Sequence, residues 1–314
     1  MIVERVQSLG IIPLRIHLSA IGSFFLPEYK GSVFRGGFGR FLRDLVCITR
    51  APVCDGCSYL STCAYSQVFE TPVDPANATV LRKYPYAPHP FVLTPPLDKN
   101  ERITAGSELV LDLVLFGRGA KYLPHFIQAF EAMGTEGGRR HFHLARITSA
   151  LDPGITVYDG AKRRLADKPP LWTLDAERAQ VRRMHLHFLT PLRLRTNGKY
   201  NQAPDFVAVA HALLHRLHLV TTIHGGCPAD REWMRLAMAQ ADHVACAASE
   251  FRLYDWSRKS VRQGRSVPMS GVVGRMVGEG DLTELAMAFR VGEFLHIGSG
   301  TSMGLGKYRA IYEC

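Results

Sequence analysis

Two successive β-α-β-β-α-β patterns predict an α+β chain of two tandem ferredoxin-like (RRM-like) domains. Two features stand out against that frame: four cysteines crowded between 47 and 63, and a glycine-rich segment that leads into the last strand. The first is expected to be an inserted four-Cys metal segment, the second a C-terminal loop of the second domain. The 314 residues leave room for two ordinary domains, expected at 1–175 and 176–314. A 46% share of hydrophobic and a 21% share of charged residues is that of a core-forming globular chain.

Residues 11–20, IIPLRIHLSA, alternate apolar and polar side chains, the period of a half-buried strand. Phe34, Phe38, Phe41, Leu42 and Leu45 recur at helical spacing and predict a helix over about 31–47. Gly36, Gly37 and Gly39 each cost that helix up to about 1 kcal/mol, so they mark a place where another group comes close. Beyond the cysteines and a Pro- and Tyr-rich loop, strands are predicted at 89–95 and 107–117. KYLPHFIQAFEAMG reads as an amphipathic helix ending at Gly134, and HFHLARITSALD as the returning strand.

The second series begins with the alternation of Met184, Leu186 and Phe188. DFVAVAHALLHRLHLVTTIHG is a helix capped by Asp205, and REWMRLAMAQADHVA is another. Residues 251–280 read as a long basic hairpin, DLTELAMAFRVGEFLHIG as the last helix, and KYRAIYEC as a final strand.

Lys and Arg exceed Asp and Glu by 38 − 28 = 10, a balance that favours a polyanionic partner, nucleic acid first. The start, MIVERVQSLG, lacks the form of an export signal, and no apolar run reaches the ~18 residues of a membrane span. A cytoplasmic protein with no membrane partner is therefore expected.

Seven cysteines, unevenly placed in a chain without an export signal, argue for metal ligation over a disulfide framework. Cys47-x6-Cys54-x2-Cys57-x5-Cys63 contains one C-x2-C turn, which aims two thiolates at one point, and two flanking thiols that complete a tetrahedron. A structural zinc is the first expectation, with an iron–sulfur cluster as the alternative. The histidines do not build a catalytic metal site. His211 and His215 share a helix face, but the position of the zincin glutamate is Ala212.

The terminal run HIGSGTSMGLGKY tests negative as a nucleotide loop. A Walker loop ending at Gly306-Lys307 needs Gly at 301 and a hydroxyl at 308, where Thr301 and Tyr308 stand. A dinucleotide fingerprint from Gly298 needs Gly or Ala at 303, which is Met303. A loop whose backbone N–H groups at Gly298, Gly300, Gly304 and Gly306 grip polynucleotide phosphates remains, with Lys307 beside it; the plain alternative is a tight turn. In the basic hairpin, Arg258, Lys259, Arg262 and Arg265 stand near Tyr254 and Trp256, a composition suited to RNA. Read as one strand, 258, 262 and 264 share a face and 259 and 265 the other.

LHIGSGTSMGLGKYRAIY resembles the C-terminal glycine-rich signature of the RAMP superfamily, the RNA-binding proteins of CRISPR systems. YKGSVFRGGFGRFLRDLVC with CDGCSYLSTCAYSQVFETP resembles the N-terminal segment of its precursor-RNA-processing endoribonucleases, and YDWSRKSVRQGRSVPMSGVVG their second-domain hairpin. The stretch from about 75 to 180 adds little. The resemblance implies tandem ferredoxin-like domains that bind CRISPR repeat RNA and cut it without a catalytic metal. The 2′-OH beside the scissile phosphate attacks it, leaving 2′,3′-cyclic phosphate and 5′-hydroxyl ends, and mature guide RNA results. Other CRISPR effector subunits are implied as further partners.

Family members often place a His or Tyr for this chemistry soon after the first strand. Residues 21–40 here hold no histidine; they offer Tyr29, Lys30, Arg35 and Arg40. The resemblance assigns Tyr29 to orient or deprotonate the 2′-OH, Lys30 and Arg35 to stabilise the phosphate, and Arg40 to bind RNA. His296 is a reserve base. The missing histidine also fits a non-catalytic RAMP subunit that holds guide RNA, and the charge and cysteines alone fit a zinc-stabilised DNA-binding regulator.

Overall fold

The computed structural model describes residues 2–73, 87–136, 139–174, 180–196, 198–227, 230–260 and 265–314. The chain divides into two compact units, one of Ser8–Thr173 with Leu219–Cys227 and one of Met1–Gln7, Leu174–His218 and Pro228–Cys314. A short helix that the sequence reading did not anticipate, α1 (Ile2–Leu9), opens the chain.

In the unit of Ser8–Thr173, β1 (Ile12–Ala20) is followed by α2 (Gly31–Val46), β2 (Phe91–Thr94), β3 (Glu108–Leu115), α3 (Leu123–Met133) and β4 (Phe142–Ser149). A small hairpin, β5 (Thr156–Asp159) and β6 (Arg164–Leu165), extends the sheet to the order β6-β5-β4-β1-β3-β2. The four strands β4-β1-β3-β2, all antiparallel, have the ferredoxin-like order. Leu14, Ile16 and Leu18 of β1 point to the core because a strand alternates its faces, and Ile16 registers with Leu111 and Ile147 on its two neighbours. Both helices cover that face: Phe38 of α2 stacks on Phe126 of α3 at 4.1 Å and meets Phe91 of β2 edge-on at 5.5 Å.

This packing explains two of the three glycines inside α2, Gly37 and Gly39. A Cβ on Gly37 would stand 2.6 Å from the end of Met133, and one on Gly39 2.3 Å from the ring of Phe69. Gly36 faces open space.

The other unit repeats the plan. It runs β7 (Arg183–Leu192), α4 (Phe206–His224, of which the part up to His218 belongs here), α5 (Arg231–Ala241), β8 (Ala245–Tyr254), β9 (Ser257–Ser260), β10 (Arg265–Pro268), β11 (Gly271–Glu279), α6 (Thr283–Leu295) and β12 (Tyr308–Glu313). The sheet order β8-β11-β7-β12 is again ferredoxin-like, and α5 is an addition to it. Asp205 caps α4 as expected, accepting from the Ala208 N–H at 2.7 Å; Asp230 does the same for α5 through Trp233 at 2.8 Å. The core closes on a ring set in which Phe289 meets Phe206 at 5.5 Å and Tyr308 at 6.0 Å. The Tyr308 hydroxyl donates to the Phe289 carbonyl at 2.6 Å.

Helix α4 corrects one expectation. By length and composition alone it can cross a membrane, but 61% of its apolar window is buried inside the protein, as in a core helix. Its histidines divide: His218 is buried and stacks beside Trp233, His211 is half-buried and pairs with Asp242 at 2.9 Å, and His215 is exposed.

Candidate functional site

The residues before and along α2 meet different fates. Tyr29 is buried. Lys30 has no exposed surface; its Nζ donates to the Asp98 carbonyl at 2.6 Å and lies 3.4 Å from the Asp98 carboxylate. An ammonium locked this way ties the start of α2 to the loop at Asp98, which removes it from the surface where a phosphate would be met. Arg40 is exposed and lies over the Phe41 ring at 4.5 Å.

Arg35 is the partly exposed member of the set. Its guanidinium lies 4.1 Å from the centre of the Phe69 ring, and its Nη2 donates to Nε2 of His89 at 3.2 Å. Arginine has no acceptor, so His89 accepts through a neutral ring whose proton is on Nδ1. His89 stands at the entry to β2, edge-on to Phe69 at 5.5 Å and to Phe91 at 5.6 Å. The sequence signal for it was weak: a lone histidine between two prolines, 54 residues from Arg35. Phe69 belongs to a π-helical turn, Ser66–Glu70, and fits there because Gly39 leaves room for its ring. A base candidate and a cation thus share one partly exposed cluster within the first unit.

The glycine-rich loop belongs to the other unit. Gly298, Gly300, Gly304 and Gly306 all have positive φ, from 70° to 89°. Gly306 is the tightest: a Cβ there would lie 1.8 Å from the Ile297 carbonyl oxygen. The loop's amides are directed into the fold. Ser299 donates to Arg193, Gly306 to Pro191, Ile297 to Gly306, and Met303 and Leu305 to Gly300. The Thr190 hydroxyl donates to the Gly304 carbonyl at 2.7 Å and accepts the Lys307 N–H at 2.8 Å. Of the four glycine amides expected to grip phosphate, Gly304 donates to the Thr301 carbonyl and Gly306 to that of Pro191, within a knot that anchors β12 against β7. The glycines serve backbone conformation and close approach.

His296 lies in the same knot. It is 2% exposed, at φ 60°, and its Nδ1 donates to the Leu305 carbonyl at 3.2 Å. Burial first, then the nearby cations Lys307 and Arg216, hold its pKa well below the ordinary histidine range. It is a neutral, enclosed imidazole; a base that must touch RNA needs an exposed lone pair.

The hairpin strands β9 and β10 pair Arg258 with Val267, Lys259 with Ser266 and Ser260 with Arg265. Arg265 is therefore in phase with Arg258 and out of phase with Lys259, because the chain reverses where a single strand had been assumed. Arg262 lies outside the described residues. On the sheet itself, His187 registers with Arg275 and Arg309, while Arg275 pairs with Glu250 at 2.9 Å and His185 with Glu313 at 2.8 Å.

Cys47, Cys54, Cys57 and Cys63 are gathered by the fold around one cavity of about 220 Å³ in the first unit. They form no disulfide. Among the described residues no three Cys, His, Asp or Glu side chains already converge closely enough to share an ion.

Comparison with known proteins divides the chain at the same place as its fold. Residues 9–170 match the AF_1859_N family model, described as an N-terminal domain, and residues 186–308 match the model of the CRISPR-associated endoribonuclease Cas6. An uncharacterized protein of Archaeoglobus fulgidus is 26% identical over 297 residues, 91% of this chain and 93% of the relative. Among solved structures, Thermus thermophilus Cas6 superposes with a TM-score of 0.55 at 17% identity, over 96% of this chain and 99% of that one. A Cas6 product complex gives 0.56 at 18% identity, over 96% and 100%. At these identities the structural likeness is one of fold.

Proposed function

This chain belongs to the RAMP-fold, CRISPR-associated processing endoribonucleases, with an AF_1859_N-type first half and a Cas6 second half, and on that premise we propose that it cleaves precursor CRISPR RNA through the Arg35–His89 pair. The bound RNA presents a phosphate to Arg35, which turns from His89 toward it and leaves the Nε2 lone pair open. Nε2 takes the proton of the adjacent 2′-OH as its oxygen bonds to phosphorus. The P–O5′ bond breaks, the 5′-oxygen takes a proton from water, the His89 imidazolium gives its proton to the hydroxide so formed, and a 2′,3′-cyclic phosphate and a 5′-hydroxyl remain. Arg35 stabilises the charge on the pentacoordinate phosphorus between these two events.

The observation that carries the reading is the 3.2 Å contact that joins a cation to a neutral imidazole in one partly exposed cluster. Repeat RNA is the substrate by family, and the formal net charge of +10 agrees with a polyanion. The test uses end-labelled repeat RNA incubated with the protein in EDTA, with a second substrate carrying 2′-deoxyribose at the scissile position. Cleavage of the first to a cyclic phosphate, with the second intact, is expected. Tight binding with both RNAs intact identifies a guide-RNA-holding subunit without cleavage activity, and equal cleavage of both overturns the 2′-OH mechanism.

A further inference from the structure

The segment between α2 and the π-helical turn lacks the means to hold its own shape. It is built of turns, and Ile48, Val53 and Tyr59 leave 75%, 51% and 45% of their surface in water. From its length only Tyr65, at the far end, joins the core, with Cys54, Cys63 and Ala64 packed against it. A short loop of this kind needs a cross-link, and no disulfide supplies one.

Its four thiols are nonetheless drawn to one place. Cys47 caps α2 through its N–H to the Arg43 carbonyl at 2.9 Å, and the Cys57 N–H closes a turn on the Cys54 carbonyl at 3.1 Å. The Cys63 carbonyl accepts from Gln67 at 2.9 Å at the head of the π-helical turn. Thr49 Oγ1 lies 3.9 Å from the Cys47 sulfur and 4.0 Å from that of Cys57, so these two thiols face a common hydroxyl. All four line the same cavity, and Arg43, whose guanidinium donates to the Ala51 carbonyl, lines it with them.

We propose that Cys47, Cys54, Cys57 and Cys63 bind one zinc ion as a tetrathiolate. Rotation of the side chains into the cavity brings the sulfurs to their common centre. Four thiolates on a divalent ion leave a net charge of −2, which the Arg43 guanidinium opposes. The ion staples the C-terminal end of α2 to the π-helical turn. Since α2 carries Arg35 and the turn carries Phe69, the staple also fixes the ring on which Arg35 lies.

The site does not depend on the RNA chemistry, and its test does not read activity. Elemental analysis of the purified full chain is expected to give close to one zinc per protein, and a C54S/C57S variant to lose it. Because that variant can unfold, thiol titration of the native wild type is read beside it. Of seven cysteines, the three outside the cluster are expected to react at once, and the other four only after a strong chelator is added. The chelator should also lower the melting temperature. Iron with acid-labile sulfide in place of zinc overturns the ion assigned. A metal-free protein, an unchanged zinc content in C54S/C57S, or more than three fast thiols without chelator overturns the site.

Discussion

Arg35 and His89, 54 positions apart in sequence, meet at 3.2 Å with the arginine as donor and the imidazole as acceptor. The contact fixes the tautomer and orientation of His89 in the absence of RNA, as second partners commonly do for catalytic histidines. It also predicts an exchange of partners, since a phosphate is a better acceptor for a guanidinium than a neutral ring nitrogen.

Replacing His89 by Ala should lower single-turnover cleavage about 100- to 10,000-fold, the range for losing a general base. Affinity for repeat RNA, measured by filter binding, should change only a few-fold. Arg35→Ala should weaken both, because it removes a phosphate ligand as well as a stabilising charge. Full activity of His89→Ala, alongside metal-free cleavage by the wild type, would remove His89 from the mechanism and leave the enzyme assignment intact.

Lys30→Met should reduce stability rather than chemistry. The buried ammonium holds the Asp98 carbonyl, and its removal leaves that acceptor without its charged donor. A loss of about 2 kcal/mol is expected from the scale of hydrogen bonds to charged groups, read as a lower denaturation midpoint. RNA affinity measured on the folded fraction should remain close to wild type. An equally stable variant that no longer binds RNA would return Lys30 to the phosphate site.

Both ferredoxin-like units were legible in the sequence because alternation and helical spacing are local signals. Leu14, Ile16 and Leu18 announce a strand wherever β1 lies, and Asp205 announces a cap. The site was less legible because its parts are non-local. Nothing near His89 in sequence indicates Arg35, and the burial of Lys30 depends on a loop 68 residues away. The glycine loop failed for another reason. Gly306 looks the same in sequence whether its amide meets phosphate or the Pro191 carbonyl, and only the fold decides between them.

The glycines of α2 give a paired test. Gly36→Ala places its methyl in open space on a regular helix, so it should raise stability by about 0.5–1 kcal/mol, the helix-propensity difference. Gly39→Ala places the same methyl 2.3 Å from the Phe69 ring and should destabilise by at least about 1 kcal/mol, as overpacking does. It should also impair cleavage, because Phe69 underlies Arg35. Thermal melts of the two variants that moved in the same direction would contradict this account of the helix.

Acidification should weaken the fold, in part through His296. Its folded pKa lies well below the ordinary value, first by burial and then by Lys307 and Arg216. The unfolded chain therefore binds the proton that the folded chain refuses, and stability rises with pH wherever the unfolded state holds more protons. The contribution is complete above the unfolded value of about 6.5 and is lost as pH falls toward the folded one. His17, His125, His215 and His218 are shifted down as well, with burial the largest cause in each, and they act in the same direction. Asn at 296 keeps a donor for the Leu305 carbonyl and cannot titrate. Melting curves of His296→Asn between about pH 7 and about pH 5 should fall less steeply than those of the wild type. An identical slope would mean that His296 takes up its proton without opening the knot that holds β12, which its enclosure between Lys307 and Arg216 argues against.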